Sequence, residues 1–309
     1  MIALKNVTKN FDDFIALDNV ELEINKGTAF GLLGSNGAGK STILRLISGI
    51  YSPENGSVTV DGTAVYDNPA LLEKIFFIND ETIQWNNFTL TEMRDYFKTF
   101  YDSFSDEKFE SLWKVLELPK QKKLSMFSKG MKRQAVVVCA LSCRPDYLLL
   151  DEAFDGLDPT MRIIVKRMLV DEMLDNNMTT VISSHNLKEI DEFCDTAGLL
   201  HKGKVVFNRE LDTLKSDIQK IQAAFEGDAT VETLTKAGLQ LLHHTKSGSV
   251  VQFIARGARD EIIGKLNQFT PKFVDVVPLT LEEVFIYEME VLGYEYAVGI
   301  DGLARQSNK

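Results

Sequence analysis

The sequence predicts an α/β fold in which a mainly parallel, covered sheet is followed by a smaller α+β domain. Two observations carry this prediction. In the first part of the chain, short apolar strands alternate with helical segments, and one strand leads through a glycine-rich turn into a helix. From about Ser216 the predicted order changes to strand, helix, strand, strand, helix and strand. The 309 residues, 44% of them apolar, are enough for two cores.

Composition limits the classes of function. The net charge of −11 argues against nucleic acid or an anionic membrane surface as the main partner. The opening "MIALKNVTKNF" lacks the layout of a secretion signal, and the longest apolar run, Ala135–Leu141, is too short for a membrane span. Cys139, Cys143 and Cys194 lack zinc-ligand spacing, so we expect small buried residues in a reduced, cytosolic protein.

A helical insert of about residues 81–145 is predicted, because aromatic side chains recur there at helical spacing. Thr89 and Glu92 fit a capping box that opens its first helix. We expect the aromatic side chains to form the core of this insert. They are Phe88, Tyr96, Phe97, Phe100, Tyr101, Phe104, Phe109 and Trp113.

A phosphate-binding loop is predicted at "GSNGAGKS", which follows an apolar strand and precedes a helix. Its glycines allow backbone N–H groups to turn inward around the β- and γ-phosphates of a nucleotide. Lys40 is expected to bring a positive charge to the same oxygens, and the Ser41 hydroxyl is a candidate ligand of Mg²⁺. The candidate nucleotide-binding residues here are Gly34, Ser35, Asn36, Gly37, Ala38, Gly39, Lys40, Ser41 and Thr42.

Two acids and a histidine follow strands at the carboxyl edge of the predicted sheet, where ligands bind in such folds. We expect Asp151 to hold Mg²⁺ and Glu152 to polarise the water that attacks the γ-phosphate. The alternative for Glu152 is an acid that merely lies near a helix. His185 ends "TTVISSH" and is a candidate contact of the γ-phosphate, with a structural histidine as the alternative.

The order of these motifs resembles that of the ABC ATPases over about residues 1–215. The set also includes a signature, "FSKGM" (127–131), and "GLD" (156–158). The resemblance implies hydrolysis of ATP with Mg²⁺ by two domains that face head to tail, the signature of each capping the ATP of the other. Lys40, Glu152 and His185 would be the catalytic residues. The residues that the resemblance adds to the nucleotide site are Phe11, Ser128, Lys129, Gly130 and Asp158.

Phe11 lies where the family places an aromatic side chain that stacks on adenine, and core packing is the alternative. The chain departs from the family pattern in two places. Lys129 stands in the signature where a glycine is usual, either as a cation close to the γ-phosphate or as a solvated lysine. Asp80 stands at the position of the family's glutamine and is a candidate Mg²⁺ ligand. The nearby Gln84 lies four residues beyond that position.

The order of the second part is that of a ferredoxin-like fold. We assign residues 1–215 to the ATPase domain, 216–293 to this accessory domain and 294–309 to a flexible tail. The segment "GLLHKGKVVFNRELDTLK" and the later "TLEEVF" resemble the ATPases of two-component exporters of drugs, peptides and antibiotics. His243 and His244 are adjacent on a strand and point to opposite faces, which favours a solvated hairpin over a metal site.

The resemblance implies the ATPase subunit of a bacterial exporter, paired with a second copy of itself or a homologous subunit beneath a polytopic permease. Its expected location is the cytoplasm, at the inner face of the cell membrane, with no nucleic acid partner. ATP would close the pair, hydrolysis would release it, and the helical insert would carry the motion to the permease. The alternative is a soluble regulatory or assembly ATPase without a permease.

Overall fold

The computed structural model describes residues 1–79, 85–225, 231–247 and 250–291. The chain divides into two compact units, and the second begins at Glu210. The predicted tail, residues 294–309, and the candidate ligand Asp80 lie outside the described residues.

A mainly parallel sheet organises the first unit, as the alternation of strands and helices predicts. Its strands are β3 (Ala29–Leu33), β6 (Ile75–Ile78), β7 (Tyr147–Asp151), β8 (Thr179–Ser183), β9 (Thr196–His201) and β10 (Lys204–Glu210). Their order in the sheet is β10-β9-β3-β8-β7-β6, and the pairings from β9 to β6 are parallel. Every residue of β3, β7 and β8 is buried, so the centre of the sheet is covered on both faces.

A second sheet in the first unit is antiparallel, and the sequence pattern did not separate it from the first. Its strands, in sheet order, are β2 (Phe14–Ile24), β1 (Ile2–Phe11), β4 (Asn55–Val60) and β5 (Thr63–Ala64). Side-chain periodicity identifies a strand but not the strand that pairs with it, so the partners could not be assigned. In the β1–β2 hairpin, Phe11 lies directly opposite Phe14.

The helices of the first unit cover the sheets and form the predicted insert, which contains α3 to α5. They are α1 (Lys40–Ile47), α2 (Pro69–Leu72), α3 (Leu90–Phe100), α4 (Asp106–Leu116), α5 (Lys129–Ser142), α6 (Pro159–Asn176) and α7 (Leu187–Phe193). The capping box at the start of α3 is confirmed. The backbone N–H of Glu92 donates to the Thr89 hydroxyl (3.2 Å), and the Glu92 carboxylate accepts from the backbone N–H of Thr89 (2.7 Å).

The aromatic side chains of the insert are unequally covered, so the prediction that they build a core is wrong for two of them, Tyr96 and Phe100. Phe109 is buried, but Tyr96 and Phe100 are 38% and 55% exposed. The ring of Tyr96 lies 4.6 Å from the ring of Trp85 and 4.8 Å from that of Phe100. Helical spacing places such rings on one side of a helix, but it does not show whether another element covers them.

The three cysteines are buried free thiols, as the sequence predicts. Burial raises the pKa of Cys139, Cys143 and Cys194, so each stays protonated near neutral pH. They act as packing residues. Within the part of the chain that the structure describes, none of the helices combines the length and hydrophobicity that a membrane span requires.

The second unit is a four-stranded antiparallel sheet with helices. Its elements are α8 (Leu211–Ser216), β11 (Ile218–Phe225), α9 (Val231–Lys236), β12 (Gln240–Ser247), β13 (Val250–Arg256), α10 (Arg259–Leu266), β14 (Pro271–Val277) and α11 (Leu281–Val291). The sheet order is β12-β13-β11-β14. His243 lies opposite Ile254 and His244 opposite Phe253, so the two imidazoles face opposite sides of the sheet.

Candidate functional site

The phosphate loop lies between β3 and α1, and its glycines occupy backbone conformations that other residues rarely adopt. Gly34, Gly37 and Gly39 have φ angles of 148°, 79° and 111°. A Cβ on Gly34 would lie 2.5 Å from the carbonyl oxygen of Leu200, and one on Gly39 would lie 2.9 Å from that of Ala16. Gly39 is also the N-cap of α1 and has no side chain to satisfy the first N–H groups of the helix. These groups therefore suit an anion.

Lys40 is the first residue of α1, and its ammonium group is held inside the loop. It is 6% exposed and donates to the carbonyl oxygens of Gly34 (2.7 Å) and Ser35 (3.2 Å). Burial lowers the pKa of Lys40, while the nearby carboxylates of Glu152 and Asp151 act in the opposite direction. An ammonium group has three donors, so one remains to bind a phosphate oxygen.

The two strand-end acids take different positions, as predicted. Asp151 ends β7 and is 5% exposed, and one of its carboxylate oxygens accepts a hydrogen bond from the hydroxyl of Ser183 at the end of β8. Glu152 follows with a φ of 49°, in the left-handed region, and its backbone N–H donates to the carbonyl oxygen of Ser183 (3.1 Å). Such a backbone is uncommon for a residue other than glycine and costs roughly 1–3 kcal/mol.

The structure brings His185 to Glu152, as the shared sheet edge predicts. Nδ1 of His185 lies 3.3 Å from Oε1 of Glu152, and the imidazole is 55% exposed. Asp155 joins them, since one oxygen or nitrogen atom from each of the three lies within 4.8 Å of the others. This grouping places a carboxylate, an imidazole and a second carboxylate where a water molecule could be oriented and deprotonated.

A cleft of about 290 Å³ joins the phosphate loop to two aromatic side chains. Phe11 is 38% exposed, and its ring lies 5.2 Å from the ring of Tyr51 in a T-shaped arrangement. This exposure disfavours the alternative that Phe11 is a core residue. The cleft is lined by Phe11, Phe14, Ala16, Asn36, Gly37, Gly39, Lys40, Ser41, Thr42 and Glu152.

The signature residues begin α5 and do not line this cleft. The hydroxyl of Ser128 is the N-cap of α5 and accepts from the backbone N–H of Met131 (3.2 Å). A Cβ on Gly130 would lie 2.8 Å from the carbonyl oxygen of Gly156, so the start of α5 packs directly on the "GLD" segment. The stem of Lys129 lies over Gly156, and its Cδ would be 3.1 Å from a Cβ there.

Asp158 serves as the N-cap of α6 in this chain. Its carboxylate accepts from the backbone N–H groups of Thr160 and Met161, at 3.0 Å each. These two hydrogen bonds fix the direction in which α6 leaves the "GLD" segment. Asp158 does not line the cleft, so its contact with a nucleotide stays a prediction.

Comparisons with known proteins agree with this geometry. A family model described as ABC transporter matches residues 17–155. The ABC transporter ATP-binding protein YtrB of Bacillus subtilis (strain 168) is 32% identical over 286 residues, 93% of this chain and 97% of that protein. This chain belongs to the ABC transporter family. It is an ATPase, because ATP hydrolysis is the activity characteristic of the ATP-binding cassettes of this family.

Two further relatives are informative for this ABC ATPase. The bacitracin transport ATP-binding protein BcrA of Enterococcus faecalis is 31% identical over 67% of this chain and 68% of that protein. A dimeric ATP-binding cassette in a post-hydrolysis state, bound to ADP and Pi, matches 68% of this chain and 99% of its own. Its TM-score is 0.61 and its identity 25%.

The residues that this ABC ATPase offers for Mg²⁺ fit that ion. Ser41 contributes a hydroxyl oxygen in the cleft, and Asp151 contributes a buried carboxylate beside Glu152. Oxygen donors of this kind are the ones that Mg²⁺ prefers. The hydrogen bond from Ser183 orients the Asp151 carboxylate, as supporting residues do around metal ligands. The third candidate, Asp80, lies outside the described residues.

Sequence reasoning missed two residues of the site, Phe14 and Asp155. Phe14 lines the cleft with 61% of its surface exposed, and it pairs with Phe11 across the turn at Asp12 and Asp13. The two aromatic residues flanking a two-residue turn were the available signal, since a hairpin places them side by side. No local sequence pattern identifies Asp155, because it comes close to His185 only where the ends of two separate strands meet in the fold.

Proposed function

We propose that this chain is the ATP-hydrolysing subunit of an exporter and works as a head-to-tail pair beneath a separate permease. The observation that carries the proposal is that the chain has two helix N-termini with candidate phosphate-binding residues, of which only one lines the cleft. Lys40 and Glu152 line it, whereas Ser128 and Gly130 stand at the start of α5. In a symmetric pair, the α5 start of each subunit completes the cleft of the other.

Within one subunit, the phosphate loop binds the phosphates and the hairpin aromatics hold the base. The N–H groups of the glycine-rich turn and the first turn of α1 point their positive ends at phosphate oxygens. Lys40 donates its remaining hydrogen to the same oxygens. Phe11 and Phe14 offer partly exposed aromatic rings in the same cleft. Stacking on aromatic rings holds a base through its face and does not read the hydrogen-bonding groups along its edge.

At the sheet edge, the chain's acids and histidine divide the chemistry of hydrolysis. Ser41 and Asp151 would hold Mg²⁺, which when bound would supply positive charge against the phosphates. Glu152 accepts a proton from the attacking water. His185, 3.3 Å from Glu152, orients that carboxylate and contacts the γ-phosphate.

The partner subunit supplies the remaining groups through the start of its α5. The N-terminus of a helix of 14 residues carries partial positive charge and suits the γ-phosphate. Ser128 adds a hydroxyl, and Lys129 adds a cation that the usual glycine lacks. Relatives that include a dimeric cassette bound to ADP and Pi support this pairing.

The second unit is a ferredoxin-like domain with a role in pairing or regulation. Its element order is β11-α9-β12-β13-α10-β14, and all its strand pairings are antiparallel. In the sheet, β11 lies between β13 and β14, which supports this assignment. The candidate site residues all precede residue 210, so the domain is not expected to take part in the chemistry.

The exporter assignment is supported by the transport relatives, and the exposed aromatic side chains of the insert support contact with a permease. BcrA is named for bacitracin transport. Tyr96 and Phe100 expose apolar surface on α3, which is a suitable contact for a permease. The cargo is set by the permease, which is a different chain.

The test is purification of the full-length chain carrying Glu152→Gln from membranes in mild detergent. Gln keeps the shape of Glu152 but cannot accept a proton, so hydrolysis should fall about 10²-fold or more. With ATP and Mg²⁺ the variant should elute as a closed dimer, whereas with ADP it should not. Undiminished hydrolysis would remove Glu152 as the base, and the absence of an ATP-dependent dimer would overturn the pairing.

The same preparation tests the permease. A polytopic membrane protein should co-purify in a fixed ratio with the tagged chain, as identified by mass spectrometry. A chain that dimerises with ATP but brings no such protein from the membrane would instead be the soluble regulatory or assembly ATPase.

A further inference from the structure

A buried carboxylate lies beside the short segment that carries His185. This segment, Ser184 to Asn186, connects β8 to α7. Glu189 is in the first turn of α7 and is 5% exposed. A buried carboxylate is costly unless donors compensate for the lost water, so its partners indicate what the surrounding structure holds in place.

Both chain neighbours of His185 donate to Glu189. The hydroxyl of Ser184 donates to Oε2 (2.9 Å), and the side-chain amide of Asn186 donates to Oε1 (3.3 Å). Asn186 is the N-cap of α7. Its side-chain oxygen accepts a hydrogen bond from the backbone N–H of Lys188 (3.1 Å). Its own backbone N–H donates to the Ser184 hydroxyl (3.0 Å). The segment on both sides of His185 is therefore fixed by hydrogen bonds that converge on one carboxylate.

The charge of Glu189 is compensated from a different helix. Nη1 of Arg162 lies 3.0 Å from Oε1 of Glu189. Arg162 is in the first turn of α6, and its backbone N–H donates to the carbonyl oxygen of Asp158 (2.9 Å). Asp158 is the last residue of "GLD" and the N-cap of α6. One ion pair thus connects the "GLD" segment with the segment of His185.

We propose that Glu189, held by Arg162, is a positioning residue that sets the imidazole of His185 against Glu152 and the γ-phosphate. Glu189 is not among the cleft-lining residues and acts through its hydrogen bonds with the side chains of Ser184 and Asn186. His185 itself is 55% exposed, so its orientation depends on the segment that bears it. This inference rests on the proposed role of His185 in hydrolysis. Supporting residues of this kind typically contribute about 10- to 100-fold to activity.

The chain offers a matched control in the pair of Lys166 and Glu192. These side chains join the same two helices, α6 and α7, at 2.8 Å. Glu192 is 68% exposed, and no hydrogen bond of the described residues connects it to Ser184 or Asn186. Loss of this pair removes a link between α6 and α7 but leaves the segment of His185 in place.

The experiment compares Glu189→Ala and Glu192→Ala, each alone and combined with His185→Ala, in the full-length chain. Single-turnover hydrolysis of radiolabelled ATP measures the rate, and equilibrium titration measures the Kd for ATP. Glu189→Ala should lower the rate at least about tenfold with Kd within about twofold, and Glu192→Ala should leave both within about twofold. In the His185→Ala background, Glu189→Ala should cause no further loss, because residues that act through one another are not additive.

Each outcome decides between the alternatives. An unchanged rate in Glu189→Ala, or an equal loss with and without His185, would overturn the inference while leaving the proposed function in place. A wild-type rate in His185→Ala would instead remove His185 from the mechanism, and the inference with it. Should Glu189→Ala not fold, Glu189→Gln enters the same cycle. Gln keeps the size and one acceptor oxygen but loses the charge opposite Arg162, so it should lower the rate less than Ala.

Discussion

At the scale of residues, the hairpin that places Phe11 opposite Phe14 provides a direct test of base binding. Phe14→Ala should weaken ATP binding by about 1–3 kcal/mol if its ring stacks on the base. Ile15 is the control, since it is next in the same strand, 54% exposed, and faces the other side of the hairpin. Isothermal titration of ATP into each variant measures the Kd.

Ile15→Ala should leave the Kd within about twofold, because Ile15 is not among the cleft-lining residues. Equal Kd values for the Phe14→Ala variant and the wild type would show that the exposed ring has no part in binding. Phe11→Ala belongs in the same series. If only Phe11→Ala weakens binding, the base lies on one ring and not on both.

The sequence predicted most of the candidate site at this scale, for a physical reason. Lys40 and the loop glycines are contiguous, and Asp151 and Glu152 follow a recognisable buried strand, so local patterns place them. Phe14 and Glu189 escaped prediction because their roles arise from contacts between separate elements. The carboxylate of Glu189 meets Arg162 across 27 residues of chain, and no local pattern specifies that pairing.

At the scale of elements, two helical glycines provide a contrast between a close contact and open space. A Cβ on Gly130 would lie 2.8 Å from the carbonyl oxygen of Gly156, so Gly130→Ala must displace α5 from the "GLD" segment. We expect a loss of about 1–3 kcal/mol in the free energy of unfolding. A Cβ on Gly264 of α10 would meet no atom within 4 Å, so Gly264→Ala should gain about 0.5–1 kcal/mol.

Urea unfolding followed by circular dichroism measures both changes, read from the transition of the unit that carries each substitution. Equal stability of Gly130→Ala and the wild type would mean that α5 and the "GLD" segment are not in firm contact.

The insert also shows where element-level prediction failed. Spacing identified α3 and its capping box, but the burial of Tyr96 depends on neighbouring elements that the sequence does not reveal.

At the scale of the whole molecule, the separate core of the second unit allows its role to be tested by removal. This core includes Ile221, Phe253 and Leu266, all within the unit. A chain that ends at Glu210, the last residue of β10, should bind ATP within about twofold of the full-length Kd, since the cleft residues all lie earlier. Its ATP-dependent dimerisation or its rate of hydrolysis should change.

Analytical ultracentrifugation with ATP and a steady-state hydrolysis assay measure these two properties. Identical sedimentation and kinetics for the short and full-length chains would defeat a role in pairing or regulation.

The order of elements in this second unit was predictable from alternating patterns. Its proposed role in pairing or regulation was not, because a role of this kind would depend on a partner chain and not on any pattern within this one.

The ammonium of Lys40 has a consequence for how the loop meets its substrate. It bonds to the carbonyl oxygens of Gly34 and Ser35, and three glycines of the loop already have positive φ angles. The backbone of this segment therefore loses its conformational entropy when the protein folds and not when ATP binds. ATP meets a preorganised cradle, so less of its binding free energy is spent on ordering protein and more remains as affinity.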